Sequence, residues 1–122
     1  MRISSAESLV MDVLWRDGPR TADQVCAAVA AEQNWTAATV KTLLSRLLTK
    51  GALTAERDGR RYLYRPALSR DDYVHGESRG VIERLFGGQV APLVAHFSAR
   101  ERLTPEDIAA LKRLIEEMDD GR

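Results

Sequence analysis

In the segment NWTAATVKTLLSRLLTKG, residues 34–51, Val40, Leu43, Leu44, Leu47 and Leu48 recur at helical spacing. That spacing predicts an amphipathic helix with one face on a core. Thr36 is placed to cap it, with Trp35 before the cap and Val40 four places in, the layout of a hydrophobic staple. Gly51 stands where a helix end favours positive φ. Two helices are predicted upstream. Ser4 with Glu7 forms a capping box ahead of Leu9, Val10, Val13 and Leu14, and Gly18-Pro19 ends that helix. Thr21 with Gln24 repeats the box ahead of Val25, Ala28 and Val29 and a stop near Ala31.

The period then changes from helical to alternating. ALTAER and RRYLYRPA flank Asp58-Gly59, a pair that suits a tight hairpin turn in which both residues take positive φ. Tyr62 and Tyr64 alternate with Arg61, Leu63 and Arg65, and Pro66 closes the run. The short PRT segment, residues 19–21, is a candidate third strand. Beyond it the pattern is helical again. Ser69 with Asp72 starts a helix from about Arg70 to Phe86, with Tyr73 able to pack on Leu68. A short helix over roughly Val90–Phe97 follows the FGG break. Thr104-Pro105-Glu106-Asp107 starts the last helix, which carries Ile108, Leu111, Leu114 and Ile115 as one stripe to about Met118.

The order helix, helix, helix, hairpin is that of a winged helix-turn-helix. The expected fold class is mainly α with a small β wing: a DNA-binding domain over 1–68 and a helical dimerisation domain over 69–122. With 122 residues, 44% apolar and 30% charged, the chain has the composition of a soluble globular protein able to bury a core. No apolar run reaches the roughly 20 residues of a membrane helix. MRISSAESLVMDVLW lacks a signal-peptide layout, so a cytoplasmic protein is expected. The single Cys26 excludes an internal disulfide and a multi-thiolate metal site, and it reads as a small side chain packed on an Ala-rich helix. His75 and His96 leave little for a metal cluster, so neither metal nor cofactor is expected.

Charge changes the picture of the third helix. The formal net charge is zero, but residues 1–68 carry ten Lys+Arg against seven Asp+Glu, and residues 69–122 carry eight against eleven. From Gln33 to Ala55 there is no Asp or Glu. A solvated helix face usually mixes Glu with Lys, because opposite charges at i,i+4 support each other. The outer positions Thr39, Lys41, Thr42, Ser45, Arg46 and Lys50, with the cap Thr36, form instead a basic, hydrogen-bonding surface that fits the major groove. Arg60 and Arg61 at the wing fit the phosphate backbone or minor groove. Lys50 has a second reading, as a cation at the negative end of the helix dipole. A basic hairpin tip has one too, as a merely solvated loop.

The apolar positions of the tail need a partner: Tyr73, Ile82, Leu85, Phe86, Leu93, Val94, Phe97, Ile108, Leu111, Leu114 and Ile115. A second copy is the simplest, since a two-fold dimer presents two recognition helices to a palindromic operator. The alternative is that the tail folds back on its own domain. A competing function is a winged helix that binds protein without reading DNA; it predicts that charge on the third helix is irrelevant. The chain contains no nucleophile elbow, phosphate-binding Gly-rich loop, HExxH or convincing carboxylate pair, so no enzyme is expected.

AESLVMDVLW, NWTAATVKTLLSRLLTKG and GRRYLYRPALSRDDY resemble the penicillinase and methicillin-resistance repressor family, BlaI/MecI, which includes copper-responsive CopY repressors. The resemblance covers essentially the whole chain. It implies a homodimeric repressor on a palindromic operator, with DNA contacts at Thr39, Lys41, Thr42, Ser45 and Arg46 and a wing at Arg60 and Arg61. PLVAHFSARERLTPEDIAALKRLI resembles the dimerisation segment. In the β-lactam branch a membrane sensor with a zinc protease domain triggers cleavage at an Asn-Phe bond. That bond corresponds here to His96-Phe97, with His in place of Asn. The copper branch carries a cysteine-rich C-terminal hook, and no such cysteines occur here.

Overall fold

A computed structural model describes residues 1–120. The element order is α1 (Ser5–Asp17), α2 (Ala22–Ala30), α3 (Ala37–Lys50), β1 (Leu53–Asp58), β2 (Arg61–Pro66), α4 (Arg70–Phe86), α5 (Val90–Arg100) and α6 (Pro105–Asp120). The fold is a winged helix followed by a helical segment. Two compact units are distinguished, Met1–His75 and Gly76–Arg122.

Local chemistry explains the helix ends of the first unit. Ser4 and Glu7, then Thr21 and Gln24, close complete capping boxes, with Glu7 N–H on Ser4 Oγ at 3.1 Å and Gln24 N–H on Thr21 Oγ1 at 3.3 Å. Thr36 caps α3 through Thr39 N–H at 3.2 Å. Gly51 ends α3 at φ 81°, its N–H on Leu48 O and that of Ala52 on Leu47 O. This pair of bonds is a Schellman motif, and it needs the left-handed residue that glycine supplies without strain.

The stripes of α1, α2 and α3 meet in one core of Val10, Met11, Val13, Leu14, Val25, Val29, Val40, Leu43, Leu44 and Leu47. Ala52 and Leu53 join it and so anchor the hairpin against α3, while Trp35, Leu48 and the half-buried Cys26 pack at its margin. The PRT segment contributes a single antiparallel bridge, Arg20 to Tyr64, with N–H···O distances of 3.2 and 2.8 Å, so the named sheet has two strands. Trp15 Nε1 donates to Leu68 O at 2.9 Å, and its ring lies 5.5 Å from that of Tyr73. Tyr73 therefore packs within the first unit.

The wing turn differs from expectation by one residue. Asp58 pairs with Arg61, which leaves Gly59 and Arg60 as the two loop residues. Gly59 has φ 67° and Arg60 does not have positive φ. Positive φ at the first loop position alone is the type II′ pattern rather than the one in which Asp58 and Gly59 both take it. The register is set from the other end, where buried Leu53 faces Pro66 and Tyr64 is held by Arg20. The midpoint between Leu53 and Pro66 falls between residues 59 and 60.

In the second unit Ile82 alone among the described residues is buried. Leu85, Val90, Phe97, Ile108, Leu114, Ile115 and Met118 are exposed, and Phe86, Leu93, Val94 and Leu111 are half-buried. Asp107 N–H on Thr104 Oγ1 at 3.0 Å confirms the predicted start of α6. Helix α5 runs one turn beyond Phe97.

Candidate nucleic-acid interface

With Val40, Leu43, Leu44 and Leu47 buried, the packing of α3 leaves Thr39, Lys41, Thr42, Ser45 and Arg46 exposed. Four of these residues, all but Ser45, fall into two neighbouring groups. Thr39, Thr42 and Arg46 line an open groove along α3 with Ala38 and Leu43. Lys41 faces the wing instead. It lines a cleft of about 200 Å³ with Thr21, Ala22, Asp23, Arg60, Arg61, Tyr62 and Tyr64. Residues more than twenty positions apart in sequence thus meet across one gap between α2, α3 and the hairpin.

Hydrogen bonds already commit part of the polar inventory. Thr36 Oγ1 accepts the cap bond and lies 3.1 Å from Thr39 Oγ1. Thr42 donates its hydroxyl proton to Ala38 O at 3.0 Å. Its lone pairs can still accept, for example from an adenine or cytosine amino group. Ser45 O accepts from Thr49, and the Ser45 side chain is exposed.

The cations divide in the same way. Arg65 is held by Glu56 across the hairpin at 2.8 Å. Lys50, expected on the DNA face, is turned to Glu7 on α1, with Nζ 2.6 Å from Oε1. Lys41, Arg46, Arg57, Arg60 and Arg61 form no ion pair among the described residues. Arg57 lies over the Tyr62 ring at 5.8 Å, within cation–π range. Tyr62, a neutral partner, therefore orders Arg57 without cancelling its charge.

Glu7 is 1% exposed. Burial pushes its carboxyl up, but the Lys50 hydrogen bond and the Ser4 backbone and hydroxyl outweigh this and hold it below its ordinary range. Oε1 accepts from both Ser4 N–H at 2.8 Å and Lys50; Oε2 is buried with no hydrogen-bond partner among the described residues.

Tyr62, Tyr64, Thr21 and Asp23 belong to the cleft, although the sequence marks Thr21 only as a helix cap, Tyr62 and Tyr64 only by strand alternation, and Asp23 not at all. The alternation of the second strand places Tyr62 and Tyr64 on one side of it, but which side faces α2 depends on the Arg20 bridge. Of the predicted dimerisation residues, all but Tyr73 lie in the second unit. His96 and Phe97 sit within α5, the His96 ring 6.1 Å from Phe86 and 5.7 Å from Phe97.

A model of the penicillinase repressor family matches residues 3–117. The chain belongs to that family. It is 31% identical over 116 residues to a penicillinase repressor of Bacillus licheniformis, covering 95% of this chain and 91% of the relative. It is 26% identical over 113 residues to the methicillin resistance regulatory protein MecI of Staphylococcus aureus, covering 93% of this chain and 92% of that one. Among solved structures, it is similar to the monomeric form of Bacillus licheniformis BlaI in complex with the blaP half-operator. There the TM-score is 0.53 with 34% identity, over 60% of this chain and 89% of that one. Membership gives the winged helix a repressor context. No helix among the described residues is long and apolar enough to cross a membrane.

Proposed function

We propose that this protein is a sequence-specific DNA-binding transcriptional repressor acting as a homodimer on a palindromic operator. The observation that carries the reading is the set of unpaired cations, Lys41 and Arg46 on α3 and Arg57, Arg60 and Arg61 on the wing, beside a helix face without a carboxylate. In this reading α3 enters the major groove. Thr39, Thr42 and Arg46 meet base edges, while Lys41, Arg60 and Arg61 grip phosphates across the cleft. The half-operator complex of the BlaI relative supports the same use of the shared domain.

The dimer is supported by Ile108, Leu114 and Ile115 of α6 and by Leu85 and Phe97, which one copy leaves exposed. Relief of repression by a membrane sensor protease at His96-Phe97, as the family resemblance implies, would require α5 to unwind locally, because that bond lies inside the helix.

The test is selection of duplexes from a random library by the full chain, then titration over salt. A two-fold symmetric consensus bound by two protomers, with affinity falling steeply as salt rises, is expected. Failure to enrich any sequence would refute the reading and favour a protein-binding winged helix.

A further inference from the structure

Among the described residues, every side-chain hydrogen bond of α3 but one is internal to the helix or its cap. The exception is Lys50 to Glu7. The remaining side-chain packing of α3 against α1 and α2 is apolar, through Val40, Leu43, Leu44 and Leu47. Apolar contacts are non-directional, so a leucine stripe fixes which face is buried far better than it fixes rotation by a few degrees or a small slide along the axis. Base readout depends on those small displacements, because hydrogen bonds weaken steeply away from good geometry.

The Glu7–Lys50 pair has the properties of a register device. Glu7 is itself fixed, since its Oε1 closes the α1 capping box on Ser4 N–H. Lys50 is the last residue of α3, directly before the Gly51 turn into the wing. The pair is a poor choice for stability alone. A carboxylate is desolvated, and its Oε2 lacks a partner among the described residues, while apolar replacement of such pairs is often neutral or stabilising. The best-attested use of a buried polar group at an apolar interface is to select one register; here Glu7 is the buried member, and Lys50, its side chain 34% exposed, reaches it from the edge of the interface.

We infer that the Glu7–Lys50 ion pair positions the recognition helix: it sets the axial and rotational register of α3 on α1, and through it the discrimination between operator and other DNA. Both are positioning residues, and neither touches DNA in this scheme. The inference rests on the DNA-binding reading above and adds an element to it. Glu7 lies under the protein surface, and Lys50 acts inward rather than on phosphate.

The experiment uses the full chain and the best duplex that the wild type selects from a random library, with a scrambled duplex of equal length. The variants are Lys50→Met, Lys50→Arg and Glu7→Gln/Lys50→Met. The double variant keeps an acceptor for the Ser4 cap and leaves no buried charge, so it should fold. Measurements are made well below each melting temperature. In Lys50→Met and in the double variant, the ratio of selected to scrambled affinity should fall by at least about ten-fold, the value of one good base contact. Scrambled-duplex affinity and its salt slope should stay as in the wild type. Lys50→Arg, which retains the tether, should restore the ratio. In the DNA-free protein, amides of α3 should exchange faster in the double variant relative to those of α2.

A salt slope reduced by about one in Lys50→Met would make Lys50 a phosphate contact and overturn the inference. So would an undiminished affinity ratio, or unchanged exchange along α3. If the wild type selects no duplex, the DNA-binding reading fails, and this inference fails with it because there is no reading face to position. If the wild type selects a duplex and the variants discriminate equally well, only the positioning role fails.

Discussion

Leu47→Ala tests the claim that the leucine stripe holds the recognition helix in place. Leu47 is fully buried, in the cluster that contains Val10, Met11, Leu14 and Leu44. Truncation removes three carbon groups, roughly 2.4 kcal/mol of transfer free energy at about 0.8 each. A cavity term adds to this, because helices closed by capping boxes cannot collapse freely into the gap; such substitutions total about 2–5 kcal/mol. The unit Met1–His75, at about 0.05–0.15 kcal/mol per residue, is worth only roughly 4–11 kcal/mol. At about 4–8 °C per kcal/mol for a unit of this size, a 3 kcal/mol loss lowers the melting temperature by roughly 12–24 °C. Thermal melting by far-UV circular dichroism reads the shift, with Leu48→Ala, at a half-buried position, as a milder comparison. Duplex binding measured well below the new melting point should survive, since the reading face is unaltered. A shift under about 5 °C would show that α3 is not held chiefly by this stripe.

Other consequences are equally direct. Arg46→Ala should cost about 1–3 kcal/mol of specific binding if it reads a base. Arg60→Ala should weaken selected and scrambled duplexes alike and reduce the salt slope by about one; equal slopes in wild type and variant would remove Arg60 from the phosphate-contacting set. The depressed Glu7 carboxyl stabilises the fold above its ordinary value of 4.5 and loses that contribution as pH falls through its lower folded value. The urea-midpoint gap between wild type and Glu7→Gln should therefore be full near neutrality and shrink in acid; a gap that widens in acid contradicts the assignment. Truncation after His75 should leave a folded, monomeric winged helix, whereas truncation after Ala67 removes both the Leu68 acceptor and the Tyr73 partner of Trp15 and should melt lower. Sedimentation of the longer fragment as a dimer would move the dimer interface out of the second unit.

Most of the winged helix is legible in the chain itself. Capping boxes, the Gly51 stop and the α3 stripe are local features, decided within four or five residues by backbone hydrogen bonding and helical period. The absence of carboxylates from Gln33 to Ala55 is likewise a property of the sequence, and it marks the basic face before any coordinates are known. What the tertiary structure decides is pairing at a distance. Lys50 and Arg46 are equally basic residues on one helix, yet one meets Glu7, 43 positions away, and the other meets solvent. Helix packing, not composition, makes that choice. The wing turn slips to Gly59-Arg60 because Leu53 and Tyr64 are fixed by the core and by Arg20, and a hairpin loop must close midway between them. Lys41 joins Arg60 and Arg61 only because the hairpin docks beside α2. Local hydrogen bonds and periodicity name the elements, but which charges remain unpaired depends on which elements come to lie together.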